Sequence, residues 1–170
     1  MKSIVIYSSL TGNTKQVAEA MTSVLPAGTP CVSMKEVPSD LSSYDLVFAG
    51  FWVDKGTANK EARDVLGTLH NPHIALFATA GVPPQMARAK ESLINAANCL
   101  PDGVEPVGTF ICQGKVDPKV IEMMYKMFPK GHSHGQSADR DARHKQAAVH
   151  PNEDDFKAAQ DFAQHKIGRA

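Results

Sequence analysis

Residues 8–14 read Ser-Ser-Leu-Thr-Gly-Asn-Thr, and nearly every side chain in the stretch can donate a hydrogen bond. It follows a short apolar run, Ile4-Val5-Ile6-Tyr7, and precedes a helical stripe of Val17, Ala18, Met21, Val24 and Leu25. A turn that leaves a buried strand and opens a helix presents amides with no partner in the helix, and the helix dipole adds to their pull on an anion. Ser8, Ser9, Thr11, Asn13 and Thr14 add hydroxyl and amide donors, Leu10 sits among them, and Gly12 lets the backbone approach closely. The chemistry this predicts is capture of a phosphate, since a helix cap alone needs only one such residue. Neither GxxxxGK[ST] nor GxGxxG occurs. Neutral donors alone suit a dianionic monoester better than a triphosphate carrying magnesium.

Other stretches compete for a role in the same site. Gly50-Phe51-Trp52-Val53-Asp54-Lys55-Gly56-Thr57 follows the third apolar run and holds the only tryptophan of the chain. A Trp in an exposed loop is costly unless it packs on something, and a flat ring is a fitting partner; covering the sheet edge is the plainer alternative. Ala78-Thr79-Ala80-Gly81 follows the fourth run, and its backbone groups are free for a ligand edge. Gln113-Gly114-Lys115 follows the fifth, and reads either as a border of the site or as a plain loop.

The elements that must position these stretches are legible as alternating patterns. Short apolar runs at Ile4–Tyr7, Cys31-Val32, 46–49, 73–78 and 107–112 read as strands. Between them run helical stripes, Ala62, Val65, Leu66 and Leu69 in one and Met86, Ala89, Leu93, Ala96 and Leu100 in another. Continuous apolar strands joined through helices predict a five-stranded doubly wound parallel sheet in a three-layer α/β/α arrangement. Such sheets bind ligands at the carboxyl ends of their strands, which places functional residues just after Tyr7, Gly50, Ala78 and Cys112.

The second half is less regular. Asp117-Pro118 predicts a capped helix start, continuing through Val120, Met123, Met124 and Met127, with the Met stripe turned to the core or, as the alternative, offered as an interface. Residues 129–150 are polar and His-rich and read as a long loop insertion with room for a short helix in it, a lid or partner-docking segment. A last helix spans Asn152–Lys166 with Phe156, Ala159, Phe162 and Ala163 inward. The whole of 1–170 reads as one domain. His132, His134, His144 and His150 lack the paired spacing of a zinc site, so no metal is expected. With 18 basic and 18 acidic side chains the net charge is zero, which selects neither nucleic acid nor an anionic membrane. The 3 cysteines form no CxxC pair and predict reduced thiols, with Cys112 a packing residue. No apolar run approaches the ~20 residues of a membrane span, so a cytoplasmic protein is expected.

Ser-Ser-Leu-Thr-Gly-Asn-Thr after a first strand resembles the phosphate loop of the flavodoxin family, (S/T)-x-T-G-x-T, and the element order is similar through about residue 128. The resemblance implies non-covalent binding of flavin mononucleotide (FMN). Its phosphate would be held by Ser9, Thr11, Asn13 and Thr14 with Gly12, within the turn 8–14. Trp52, between Phe51 and Val53, would cover one face of the flavin ring; Asp54, Lys55 and Gly56 would lie near its edge, and Thr79, Ala80 and Gly81 along its pyrimidine side. Two departures stand out. Many flavodoxins carry a glycine where Val53 stands, and a β-branched residue resists φ > 0, which predicts weak stabilisation of the one-electron-reduced flavin. The third loop lacks the tyrosine that commonly stacks on the second face, leaving it open or covered by Val82 or Pro83. Lys55 reads as a solvated loop charge or, at the flavin's N1 side, as a group favouring the anionic reduced flavin. The resemblance implies a redox protein passing electrons from a reductase to a partner redox enzyme. The alternative is a flavin-dependent oxidoreductase acting directly on a quinone, porphyrin-like or other small acceptor. A signalling receiver shares the sheet order but needs acids where Tyr7 and Gly50 stand.

Overall fold

Apolar residues on both faces of each central strand demand cover on both sides of the sheet, and the chain supplies it. The computed structural model describes residues 1–169. Strands β1 (Ser3–Tyr7), β2 (Cys31–Ser33), β3 (Leu46–Asp54), β5 (His73–Ala80) and β6 (Gly108–Gln113) form a parallel sheet in the order β2-β1-β3-β5-β6. Helices α1 (Asn13–Thr22) and α6 (Glu153–Ile167) cover one face; α2 (Lys60–Leu66) and α3 (Ala87–Ala97) cover the other. Side chains alternate across the pleat: Val5, Phe48 and Phe77 join Val17, Met21 and Ala159 on the first face, while Ile4, Ile6, Val47 and Leu76 join Ala62, Leu66 and Leu93 on the second. This is the doubly wound α/β/α architecture of the flavodoxin fold.

β3 runs further than its apolar core requires. The stretch from Phe51 to Gly56, expected as a loop, continues the strand to Asp54 and returns as β4 (Thr57–Ala58), with Val53 opposite Ala58 and Asp54 opposite Thr57. Phe-Trp-Val is a β-prone run, which is why the strand continues. Lys55 (φ 49°) and Gly56 (φ 79°) form the hairpin tip, both in the left-handed region. That is the pattern of a type I′ turn, for which Asn-Gly is the favoured pair; a lysine there costs on the order of 1 kcal/mol. Asn95 Nδ2 on α3 donates to Gly56 O at 2.8 Å and fastens the tip to the sheet's helical cover.

The second half departs most from expectation. Asp117 caps α4 (Pro118–Met127) by accepting from Lys119 N at 2.8 Å, as its sequence predicts. The Met stripe, however, is not core: no α4 residue is buried, and Met123 and Met127 are 55% and 66% exposed. Periodicity marks a face as apolar without saying what covers it. The segment read as a long loop with room for a short helix contains α5 (Ala138–Ala147). Ser137 caps it by accepting from Arg140 N, acidic Asp139 and Asp141 stand in its first turn, and basic His144 and Lys145 stand in its last. Tyr125 joins the two helices, its hydroxyl donating to Asp141 Oδ1 (2.9 Å) beside His144 Nδ1 (3.1 Å). The capping box of Asn152 and Asp155 starts α6 where expected. Among the described residues no helix is long and apolar enough to cross a membrane.

Candidate functional site

Gly12 sits at the N-cap of α1 with φ 95°, a left-handed conformation that turns the chain from β1 into the helix. Ser8 N is spent on Gly50 O and Gly12 N on Ser9 Oγ. Among the described residues, the amides of Ser9, Leu10, Thr11, Asn13, Thr14 and Lys15 have no hydrogen-bond partner. They crowd one helix entrance and form a concavity suited to an anion.

The side-chain donors of this turn are largely committed elsewhere. Ser8 is 3% exposed; its hydroxyl donates to Glu61 Oε1 (2.7 Å) and accepts from Asn59 Nδ2 (2.8 Å). Thr14 and Thr79 share a buried hydrogen bond between their hydroxyls at 2.9 Å. Asn13 Nδ2 donates to Lys115 O at 2.8 Å. These bonds fix the turn to its neighbours: Thr14 to the end of β5, Asn13 to the segment after β6. What remains for an anion is backbone amides, the exposed Thr11 hydroxyl and the Ser9 hydroxyl, whose oxygen accepts from Gly12 N while its proton is uncommitted.

The turns following β1 and β6 and the carboxyl ends of β3 and β5 surround a cavity of about 350 Å³. Leu10, Thr11 and Asn13 stand at one end, Trp52, Val53 and Asp54 form one side, and Thr79, Ala80 and Gly81 lie along the floor. The fourth wall is Gly114, Lys115, Val116, Asp117 and Val120. That wall is braced by Gly114 N donating to Ala80 O (2.8 Å) and by the buried Gln113, whose Nε2 donates to Gly81 O (3.2 Å). A Cβ on Gly81 would stand 2.6 Å from Val116 Cγ2, so a side chain there would push the wall outward.

The structure thus gathers Leu10, Thr11, Asn13, Trp52, Val53, Asp54, Thr79, Ala80 and Gly81 around one cavity. Ser9, Gly12 and Thr14 shape the adjoining turn, Ser8 lies behind it, and Phe51 is wholly buried in the core rather than in the cavity wall. Lys55 and Gly56 face a neighbouring cleft instead. Val82 also belongs to that cleft, while Val116 and Val120 line the cavity that Trp52 lines. Sequence reasoning did not assign Val116, Asp117 and Val120 to the site: Asp117 and Val120 were read only as the start of a helix, and the one pointer to the cavity was position after the fifth strand. Cys112 is 2% exposed, and burial pushes its thiol up to about 12, leaving no thiolate near pH 7. Among the described residues no three His, Cys, Asp or Glu side chains are grouped to hold a metal ion.

The flavodoxin-domain profile matches residues 4–164. The chain belongs to the flavodoxin family. Among its relatives, the flavodoxin-like domain-containing protein BilS of Clostridioides difficile (strain CD3) is 34% identical over 177 residues, covering 100% of this chain and 98% of that protein. Among solved structures, the Streptococcus pneumoniae TIGR4 flavodoxin superposes with a TM-score of 0.58 at 14% identity, covering 99% of each chain. A flavoprotein of Lactobacillus acidophilus NCFM, crystallised in complex with FMN, gives 0.51 at 18% identity over 65% of this chain and 93% of its own. At such identities the structural likeness speaks for the fold.

Proposed function

We propose that this protein binds FMN in the cavity at the carboxyl ends of β1, β3, β5 and β6, and carries electrons from a reductase to a partner redox enzyme. The observation that carries the reading is the set of unpartnered amides from Ser9 to Lys15 at the mouth of a cavity sided by the only tryptophan. A phosphate monoester satisfies those amides, and a flat ring laid against Trp52 fills a volume within the range of small-ligand sites. Val116 and Val120 cover the ring's other side. When bound, FMN supplies the one- and two-electron chemistry, and the protein's part is to position it and set its surroundings.

The phosphate donors are chiefly amides, so removing the phosphate should matter more than removing any one hydroxyl. The test is a titration of flavin-free protein with FMN and with riboflavin, followed by flavin fluorescence. FMN should bind at least about 100-fold more tightly, the worth of two charge-assisted hydrogen bonds at roughly 1.5 kcal/mol each. Equal affinities would refute the assignment of the turn. A net charge of zero fits a dedicated partner better than general docking onto basic surfaces. Electron delivery that requires an added reductase supports the carrier reading, whereas steady turnover of a small acceptor with NAD(P)H alone supports a direct oxidoreductase.

A further inference from the structure

Val53, Ala80 and Gly81 line the proposed flavin cavity and also an adjoining second cleft of about 520 Å³. The rest of this cleft comes from elements that make no contribution to the first: the hairpin tip at Lys55, Arg88 and Glu91 on α3, and His134 from the segment after α4. Its polar groups sort into spent and free. Ser92 Oγ donates to Arg88 O (2.7 Å), and Asn95 Nδ2 donates to Gly56 O (2.8 Å). Lys55 and Arg88, by contrast, have no carboxylate within ion-pair distance among the described residues. Glu91 is the one acid lining the cleft, so the two cations outnumber it.

The backbone points the same way. Lys55 is held at φ 49° at a position where asparagine or glycine is the unstrained choice, and the Asn95 bond keeps the tip in place. A strained residue whose side chain lines a cleft is a reasonable mark of selection for that side chain. The floor, Val53, Ala80 and Val82, is apolar.

We propose that this cleft binds a small organic anion, an apolar ring system bearing a carboxylate, with the carboxylate between Lys55 and Arg88 and the ring on Val53, Ala80 and Val82. One excess positive charge over an apolar floor suits such an amphipathic monoanion better than a sugar phosphate, and the volume is that of a small-ligand site. The ligand's adjacency to a flavin rests on the FMN reading above; the cleft does not. The inference therefore gives the direct-acceptor alternative a place to act, one wall away from the redox centre.

The test uses 2-naphthoate and its neutral analogue 2-naphthalenemethanol, titrated into 15N-labelled protein with and without FMN. Naphthoate should shift the amides of Lys55, Gly56, Arg88 and Asn95 and bind at least tenfold more tightly than the alcohol. Arg88→Gln should weaken naphthoate about fivefold, as expected for loss of a partly exposed charge contact, with the alcohol unaffected. Glu91→Gln should tighten naphthoate. FMN affinity within twofold of wild type in Arg88→Gln would keep the two sites separate. Equal binding of acid and alcohol, an indifferent Arg88→Gln, or shifts confined to Leu10, Thr11 and Val120 would each overturn the proposal. The FMN-free arm reports on the cleft even if no flavin binds, so failure of the flavin reading and failure of this one are told apart.

Discussion

The buried hydroxyl pair of Thr14 and Thr79 bolts the phosphate turn to the end of β5, and its worth can be worked from the geometry. Both residues are almost wholly inaccessible, 0% and 3% exposed, and their Oγ1 atoms are 2.9 Å apart. Thr14→Val replaces the hydroxyl by a methyl of the same shape, so it opens no cavity but leaves Thr79 Oγ1 without this partner in a dry site. An unsatisfied buried hydroxyl costs about 1–3 kcal/mol, so each single variant, Thr14→Val or Thr79→Val, should lose about 2 kcal/mol of unfolding free energy. In the double variant both polar groups are gone, and two methyls in contact should cost 1 kcal/mol at most, to order of magnitude. The double-mutant cycle therefore closes with a coupling of about 3 kcal/mol, the sign and size expected for direct partners. Urea denaturation of the three variants measures it, with unchanged m-values showing that the denatured state is not what moved. Additive losses in the double variant, or single variants that cost nothing, would refute the idea that this bond holds the turn in place.

Cys112 offers a pH test. Its thiol is raised by burial from an ordinary 9.0 to about 12, so between those values the unfolded chain releases a proton that the folded chain retains. Folded protein then binds more protons than unfolded, and stability falls as pH rises through that window, with a slope approaching 1.4 kcal/mol per pH unit from this group alone. Urea midpoints between pH 9 and 10.5 should fall more steeply in wild type than in Cys112→Ala; parallel slopes would mean that the thiol ionises freely in the fold. Gly81→Ala puts a Cβ 2.6 Å from Val116 Cγ2 and should cost about 1–3 kcal/mol and weaken FMN binding. Adding Val116→Ala should restore both, and an effect that the second substitution leaves untouched would place the damage outside the cavity wall.

Which parts of this molecule were legible in the sequence follows from which forces set them. The central strands declared themselves because burial on both faces leaves unbroken apolar runs, and β1, β3 and β5 lie where those runs do. The phosphate turn was legible because a strand handing over to a helix leaves amides unpaired whatever the side chains are. The roles given to the turn's hydroxyls were less secure, and the structure spends those of Ser8 and Thr14 on Glu61 and Thr79. A donor-rich composition tells how many hydrogen bonds can form, and tertiary placement tells with whom. The hairpin after Trp52 was missed because Lys-Gly is a poor turn signal, and the bounds of α5 were not drawn because its signals are electrostatic, a serine cap and a graded charge, with no apolar stripe behind them.

The same distinction explains why the second cleft could not be read from sequence at all. Lys55, Arg88 and His134 are far apart in the chain, no motif joins them, and Lys55 looked like a solvated loop charge. They converge because β3 overruns the sheet, the hairpin tip bends over α3, and Asn95 ties it there. The first cavity is assembled from strand ends, which every doubly wound sheet supplies at its switch point. The second is built from the hairpin tip, α3 and the segment after α4, which lie beyond those strand ends. If the first fixes the cofactor and the second binds a small anion, then the side chains that converge on the second cleft, and not the strand ends that any such sheet supplies, select that anion.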